Sequence, residues 1–370
     1  MTRRSVLCVV GARPNFMKMA PALRALESHP EISATLVHTG QHYDAGMSDD
    51  IIRQLGAREP DYRLEVGSAT HAIQTARVME RLDPLIERLH PDIVLVSGDV
   101  NSTLAAALVA AKRHVPVAHI EAGLRSFDRR MPEEINRVLV DQISDILYTT
   151  EKSAEANLLR EGIDRGKIAF VGNLMIDSLF DALPRAVPAM QQIERHFGRA
   201  VADEAASGYA LLTLHRPSNV DGGEILAGIL GAIARIAMDC PVIFPVHPRT
   251  RARMDALGLK PERVHCMPPV GYHEFVGLMR EAKLVLTDSG GVQEETTALG
   301  VRCLTLRENT ERPITVEEGS NQVVGCDPAD IVRAAGLALA TPEPGRIPQG
   351  WDGRAATRLA EHLVGWLAAS

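Results

Sequence analysis

Three acidic positions stand where short apolar runs end. Asp99 lies in Ser97-Gly98-Asp99-Val100-Asn101-Ser102-Thr103, just after Asp92–Val96. Glu121 lies in His119-Ile120-Glu121-Ala122-Gly123-Leu124-Arg125, at the end of Val115–Ile120, and Glu133 stands with Glu134 directly after Pro132. A carboxylate at the end of a buried strand is costly without a partner. Carboxylates that cluster push one another's pKa values apart, so that one serves as acid and another as base. Such a set suits the movement of a proton at carbon. Asp99 equally suits the cap of the helix that follows it.

A second group of residues suits an anion. Gly11-Ala12-Arg13-Pro14-Asn15-Phe16-Met17-Lys18 is a strand-to-helix turn with a cation on each side. A helix N-terminus flanked by Arg13 and Lys18 fits a phosphate, and the same residues also fit a plain turn with two solvated cations. Further along, His215-Arg216-Pro217 and His247-Pro248-Arg249 each end an apolar run, as expected of an anion-lined cleft. Thr287-Asp288-Ser289-Gly290-Gly291 opens a helix and offers backbone N–H groups to phosphate. Glu295 on that helix is placed to accept from sugar hydroxyls, and Arg312 follows in Thr310-Glu311-Arg312-Pro313.

The elements that position these residues alternate along the chain. Ser5–Val10, Ala34–His38, Asp92–Val96, Val115–Ile120, Ile146–Thr149 and Ile168–Val171 read as strands, rich in Val, Ile and Leu and bounded by turn residues. Helical patterns fall at Phe16–Ser28, Ser102–Arg113 and Pro132–Ser144; Pro132 before two acids is a good helix start. The pattern then restarts. Strands are expected at Tyr209–Leu214, Val242–Val246, Val264–Met267, Leu284–Thr287 and Arg302–Leu306. Helices are expected at Gly223–Met238, Tyr272–Glu281, Val292–Leu299 and Ala329–Leu339. Strands alternating with helices imply α/β domains with parallel sheets covered on both faces. Two doubly wound domains are therefore expected, residues 1–172 and 173–352, with a cleft between them and a last helix, 353–370, packing back on the first. In such sheets ligands sit at the carboxyl ends of the strands, where the unusual residues fall.

Length and composition agree. The chain has 370 residues, enough for about two domains. Hydrophobic residues are 45% and charged residues 24%, an ordinary globular balance that excludes disorder. The net charge of −7 gives no basic footprint for nucleic acid. No apolar run approaches the roughly 18 residues of a membrane span. Thr2-Arg3-Arg4 before Ser5–Val10 is read as the lead into a first strand rather than a leader, so a cytoplasmic location is expected. The five cysteines, Cys8, Cys240, Cys266, Cys303 and Cys326, form no CxxC pair and read as reduced thiols. There is no HExxH, GxSxG, kinase signature or Walker lysine, and no metal site is expected.

The segments GARPNFMKMAP, TGQHYD, GDVNST, HIEAGLRS, MPEEINR, VGN, LTLHRPSNVD, FPVHPR, TDSGGVQEE and TERP follow one another from Gly11 to Pro313. This ordered set resembles the non-hydrolysing UDP-N-acetylglucosamine 2-epimerase family over nearly the whole chain. The resemblance implies a GT-B architecture of two Rossmann-like domains, a homodimer, and no metal or redox cofactor. It implies interconversion of UDP-N-acetylglucosamine and UDP-N-acetylmannosamine, by loss of UDP to a 2-acetamidoglucal and re-addition. By motif it implies Asp99, Glu121, Glu133 and His215 as catalytic residues. It implies Arg13, Lys18, Phe275, Ser289, Gly290, Gly291, Glu295 and Arg312 as contacts to the nucleotide sugar. In some members the region of Gln41 and His42 helps form an allosteric site. Alternatives are an epimerase of a related UDP-diacetamido uronic acid, and a GT-B glycosyltransferase, which would share the fold but not need the carboxylate set.

Overall fold

Short β-branched runs form most strands of two parallel sheets. The computed structural model describes residues 3–40, 58–341 and 345–369, the side chain of Arg13 excepted. The first sheet contains β1 (Arg4–Val10), β2 (Ile32–His38), β3 (Tyr62–Arg63), β4 (Ile93–Ser97), β5 (Val117–Ile120), β6 (Ile146–Thr149) and β7 (Ile168–Phe170). The second contains β8 (Ala210–Thr213), β9 (Val242–Pro245), β10 (Val264–Met267), β11 (Leu284–Thr287), β12 (Cys303–Thr305) and β13 (Asn321–Val323). Their central strands are buried on both faces, as Val6, Cys8, Leu95, Val96, Leu211 and Leu286 show, which is the mark of a parallel sheet with helices on each side.

The strand orders are β3-β2-β1-β4-β5-β6-β7 and β10-β9-β8-β11-β12-β13, with every pairing parallel. Each begins from a central strand, winds outward in one direction, and then reverses. The reversal points lie between β1 and β4 and between β8 and β11. At such a point the loops leaving the two central strands turn opposite ways and open a crevice at the carboxyl edge. Both sheets are thus Rossmann-like, and two such domains in one chain make the GT-B architecture.

The chain divides into two units, Met1–Asp181 with Gln349–Ser370, and Ala182–Pro348. The first boundary falls nine residues beyond the expected seam at 172/173, because the helix Leu174–Ala182 stays almost entirely with the first unit. There Ser178 donates to the carbonyl of Met17. The buried Asp177 carboxylate accepts from the first amides of the helix Ala355–Ala369, at Ala355 (3.1 Å) and Ala356 (2.7 Å). Trp351 is 2% exposed, with its indole N–H 3.4 Å from the carbonyl of Thr150. Gly172 (φ 90°) lets the two passes of chain touch, since a Cβ there would lie 2.1 Å from the Gly350 carbonyl.

Some elements differ from expectation. The sequence pattern predicts no β3, no β13 and no helix at His71–Leu89. β3 is two residues long, β13 is Asn-Gln-Val without an apolar run, and the helix carries Pro84 in its interior. Val78, Leu82, Leu85 and Ile86 bury one face of that helix and outweigh the proline. The cysteines are all free thiols, three buried and two partly so. Among the described residues no helix is long and apolar enough to cross a membrane.

The Asp177 contact predicts a stability effect. Asp177→Ala removes the acceptor that caps the helix Ala355–Ala369 and leaves two buried N–H groups unpaired. The chain should lose about 1–3 kcal/mol in urea unfolding, with no change in slope.

Candidate active site

At the carboxyl edge of the first sheet the chain must turn sharply after β5. It does so with Glu121 at φ 69° and Gly123 at φ 81°. A left-handed backbone costs a residue with a Cβ roughly 1–2 kcal/mol, and such strain collects at functional sites. The turn sends the Glu121 carboxylate back toward the end of β4, where it pairs with Lys18. Both side chains are more than nine-tenths buried. The pair lies against the Gly98 backbone, where a Cβ would stand 3.3 Å from Lys18 Nζ and 3.5 Å from Glu121 Oε2. Asn15 ties this corner together: its Oδ1 accepts from Gly11 and Ala12 (3.3 and 3.0 Å) and its Nδ2 donates to Ser97 O (2.7 Å).

Arg137, on the helix Pro132–Ile143, joins the remaining acids. It reaches Asp99 at 2.6 Å and Glu134 at 3.0 Å. Burial lowers its pKa, but the charges of Asp99 and Glu121 and the bond to Glu134 outweigh that and raise it. Asn136 donates to the Asp99 carbonyl at 2.8 Å. Glu134 accepts from the backbone of Ser126 and Phe127, both at 2.9 Å. Burial pushes its carboxyl up, and these bonds outweigh burial and hold it below the usual range. So Glu134 fixes the loop ahead of its helix. Glu133, its half-buried neighbour, is engaged by no hydrogen bond or ion pair among the described residues.

Beneath this edge lies a second web that sequence reasoning missed. Asp141 is fully buried and accepts from His119 Nδ1 (2.7 Å), Arg125 (2.7 Å) and the Gly123 amide (3.0 Å). His119 Nε2 meets the Gly98 carbonyl at 2.8 Å. Asp141 therefore holds both ends of the Glu121 turn and, through His119, the residue before Asp99. Its signal in the sequence was the cation-rich company of HIEAGLRS, which requires a buried acid elsewhere.

The second sheet carries its own site. The Asp288 carboxylate, after β11, is fully buried. It accepts from the amides of His215 (3.1 and 3.0 Å) and Arg216 (2.9 Å) and stands 2.9 Å from His215 Nδ1. That leaves Nε2 of His215 for chemistry, with the ring oriented by the acid. Ser289 precedes the helix Gly290–Leu299, whose first amides have no acceptor within the helix. A Cβ at Gly290 or Gly291 would meet nothing within 4 Å, so the approach is open to an anion. Glu295, buried on that helix, accepts from the Tyr272 hydroxyl at 2.8 Å. Tyr272 opens the helix Tyr272–Glu281, which also carries the half-buried Phe275. Arg312 stands 3.1 Å from Glu294.

The expected residues therefore fall into two groups. Asp99, Glu121 and Lys18 come together with Arg137 in the first unit. His215, Ser289, Gly290, Gly291, Glu295 and Arg312 occupy the carboxyl edge of the second sheet and the helix that starts there. Lys18 is paired with Glu121, so any anion it meets is met by the pair. Gln41 and His42 lie outside the described residues, as does the Arg13 side chain. Among the described residues no group of three or more His, Cys, Asp or Glu is arranged to hold a metal ion.

Comparison with known proteins gives a consistent picture. The sequence model of the family described as UDP-N-acetylglucosamine 2-epimerase matches residues 24–364. The UDP-N-acetylglucosamine 2-epimerase of Methanocaldococcus jannaschii is 42% identical over 363 residues, covering 96% of this chain and 98% of that protein. The UDP-2,3-diacetamido-2,3-dideoxy-D-glucuronate 2-epimerase of Pseudomonas aeruginosa is 44% identical over 364 residues, covering 97% and 99%. A crystal structure of the M. jannaschii enzyme in complex with UDP-GlcNAc and UDP aligns with TM-score 0.80 at 40% identity, covering 98% of this chain and 99% of that one.

The second site predicts a titration. His247 caps the helix Pro248–Ala256, with its Nδ1 accepting from the Arg249 amide (3.2 Å) and its ring 5.9 Å from that of His215. Burial and then the neighbouring His215 lower its pKa, against a smaller pull from Asp288. A histidine whose folded pKa is depressed gives stability that is present above about pH 6.5 and lost as pH falls through the folded value. Imidazole NMR should show His247 neutral to a lower pH than an ordinary histidine, and His247→Gln should remove part of the acid loss of stability below about 6.5.

Proposed function

The chain belongs to the UDP-N-acetylglucosamine 2-epimerase family, and on that premise we propose that it inverts C2 of UDP-N-acetylglucosamine to give UDP-N-acetylmannosamine, reversibly. The family is one of isomerases, which sets the chain apart from glycosyltransferases that share its fold. The observation that carries the reading is the gathering of Asp99, Glu121, Glu134, Lys18 and Arg137 at the carboxyl edge of the first sheet. Acids held next to cations in a fixed geometry suit proton transfer, and of these Glu134 alone is occupied with the loop ahead of its helix.

The C2 proton of the sugar has no adjacent carbonyl and is weakly acidic. A base alone does not suffice, and departure of a good leaving group supplies the driving force. In the proposed reaction a carboxylate from Asp99, Glu121 and Glu133 takes the C2 proton as the C1–O bond breaks. UDP departs with the bonding pair and leaves a 2-acetamidoglucal. The β-phosphate oxygen of UDP then adds back to C1, and a proton is delivered to the opposite face of C2. The second unit supplies what the leaving diphosphate needs: the open amides of Gly290 and Gly291, behind a Ser289 whose own amide is held by the Thr287 hydroxyl at 3.0 Å, with His215 and Arg312, stabilise negative charge without reorganisation. Glu295 suits the ribose hydroxyls, with Tyr272 fixing its orientation. Phe275, Arg13 and Lys18 complete the nucleotide-sugar contacts in this reading. Gln41 and His42 are the place to look for allosteric control, and the reading includes a homodimer in the cytoplasm.

The 44% identity to the P. aeruginosa diacetamido uronate epimerase supports a second substrate with the same chemistry. The two are separated by offering each nucleotide sugar to the purified chain in D2O and following proton NMR. Signals of UDP-N-acetylmannosamine, with loss of the C2 proton signal, are expected from UDP-N-acetylglucosamine. Turnover of the uronate alone would reassign the substrate, and no C2 exchange with either would overturn the reaction. Glu121→Gln and Glu133→Gln should each cut turnover by about a hundredfold or more while sparing UDP binding. Full activity in either variant removes that residue from the chemistry.

A further inference from the structure

Between β12 and the short helix Ile314–Glu317 runs a loop, Arg307 to Pro313, beside the start of the helix Gly290–Leu299. It is fastened there by Thr310, whose hydroxyl donates to Gln293 Oε1 at 2.6 Å. The Glu311 carboxylate stands between two arginines of different origin. Arg307 donates to Oε1 at 3.2 Å, and Arg216 approaches Oε2 at only 3.7 Å, too far for a hydrogen bond. Arg216 follows His215, and its amide is held by Asp288. Among the described residues, Arg216 Nε and Arg307 Nη1 are buried donors without a hydrogen-bond partner. Burial would push the Glu311 carboxyl up, and Arg216, Arg307 and Arg312 outweigh it.

Two guanidiniums therefore share one carboxylate that satisfies only part of their hydrogen-bonding capacity. A singly charged carboxylate stands where two guanidiniums offer more donors than it takes. We propose that Glu311 is a resident anion of the diphosphate site: it neutralises Arg216 and Arg307 in the empty enzyme and yields Arg216 to the diphosphate when UDP or its sugar binds. The inference rests on the reading that this edge takes the diphosphate. In this arrangement Glu311 lowers affinity. It balances two guanidiniums, one half-buried at Arg216 and one more deeply placed at Arg307, and it competes with the product, so that UDP and the sugar nucleotides leave. For a reaction that runs through an intermediate held with free UDP, too tight a hold on the diphosphate would favour that trapped state over release.

The sign of one measurement decides the matter. A purely structural Glu311 would keep the arginines in place, so its removal would weaken UDP binding or leave it unchanged. A resident anion, once removed, makes binding tighter. In calorimetric titration of UDP into the full chain, Glu311→Gln should bind about tenfold tighter than wild type or more, and the KM for the nucleotide sugar should fall with it. Arg216→Met in the Glu311→Gln background should cancel the gain. Glu311→Asp, which withdraws the charge by one methylene, should shift affinity in the same direction and serves if the amide variant does not fold. Unchanged or weaker binding in these variants overturns the inference alone, as does a gain that survives loss of Arg216. Failure of wild type to bind UDP overturns both the inference and the reading beneath it.

Discussion

A carboxylate taken out of water must be given donors, at a penalty of several kcal/mol if it is not. The first domain is arranged around that constraint. Its reversal point gathers Asp99, Glu121, Glu134 and Asp141 about the carboxyl ends of its strands. Each is answered: Lys18 for Glu121, Arg137 for Asp99 and Glu134, His119 and Arg125 for Asp141. The cations come from different elements, so satisfying the acids also fixes those elements on one another. The left-handed turn at Glu121 is tolerable because Asp141 holds Gly123 on one side and His119 on the other.

The second domain solves a different electrostatic problem with the same topology. In the proposed reaction the ligand brings the charge there, and the protein supplies donors. One buried acid, Asp288, is enough to hold the His215 and Arg216 amides and the imidazole. The rest of the edge is open amide, and guanidiniums set against Glu294 and Glu311. The two sheets share a strand order, yet one edge is suited to moving protons and the other to holding an anion. Fold alone fixes neither role; the residues after the strands do.

Much of this is legible in the residues alone. Strand and helix periodicity places β1, β2, β4 to β12 and half of the described helices, and the residues beyond strand ends stand out as functional because doubly wound sheets use that edge. Legibility fails where the signal is tertiary. β13 is short and polar, and it forms because Asn321 bonds Thr305, Gln293 and Thr315 in the interior. The helix His71–Leu89 carries a proline that local propensity counts heavily. Glu133 and Glu134 are indistinguishable in sequence, and only packing shows that Glu134 is occupied with the loop ahead of its helix. Asp141 and Asp288 sit in ordinary-looking context, and their importance lies in what they touch. Lys18 reads as an anion contact, and the structure adds that Glu121 already engages it.

The passage of the chain out of the first domain and back has a consequence for synthesis. Residues 182–348 form a self-contained unit inserted between Asp181 and Gln349. As the chain leaves the ribosome, the second domain can complete its sheet before residues 349–369 emerge. The acid-bearing domain, though begun first, waits with the surface around Asp177, Val171 and Thr150 uncovered until Trp351, Arg358 and the closing helix arrive. Nascent-chain exposure therefore falls on the earlier-made half, and a chaperone that guards unfinished surface would find its work there.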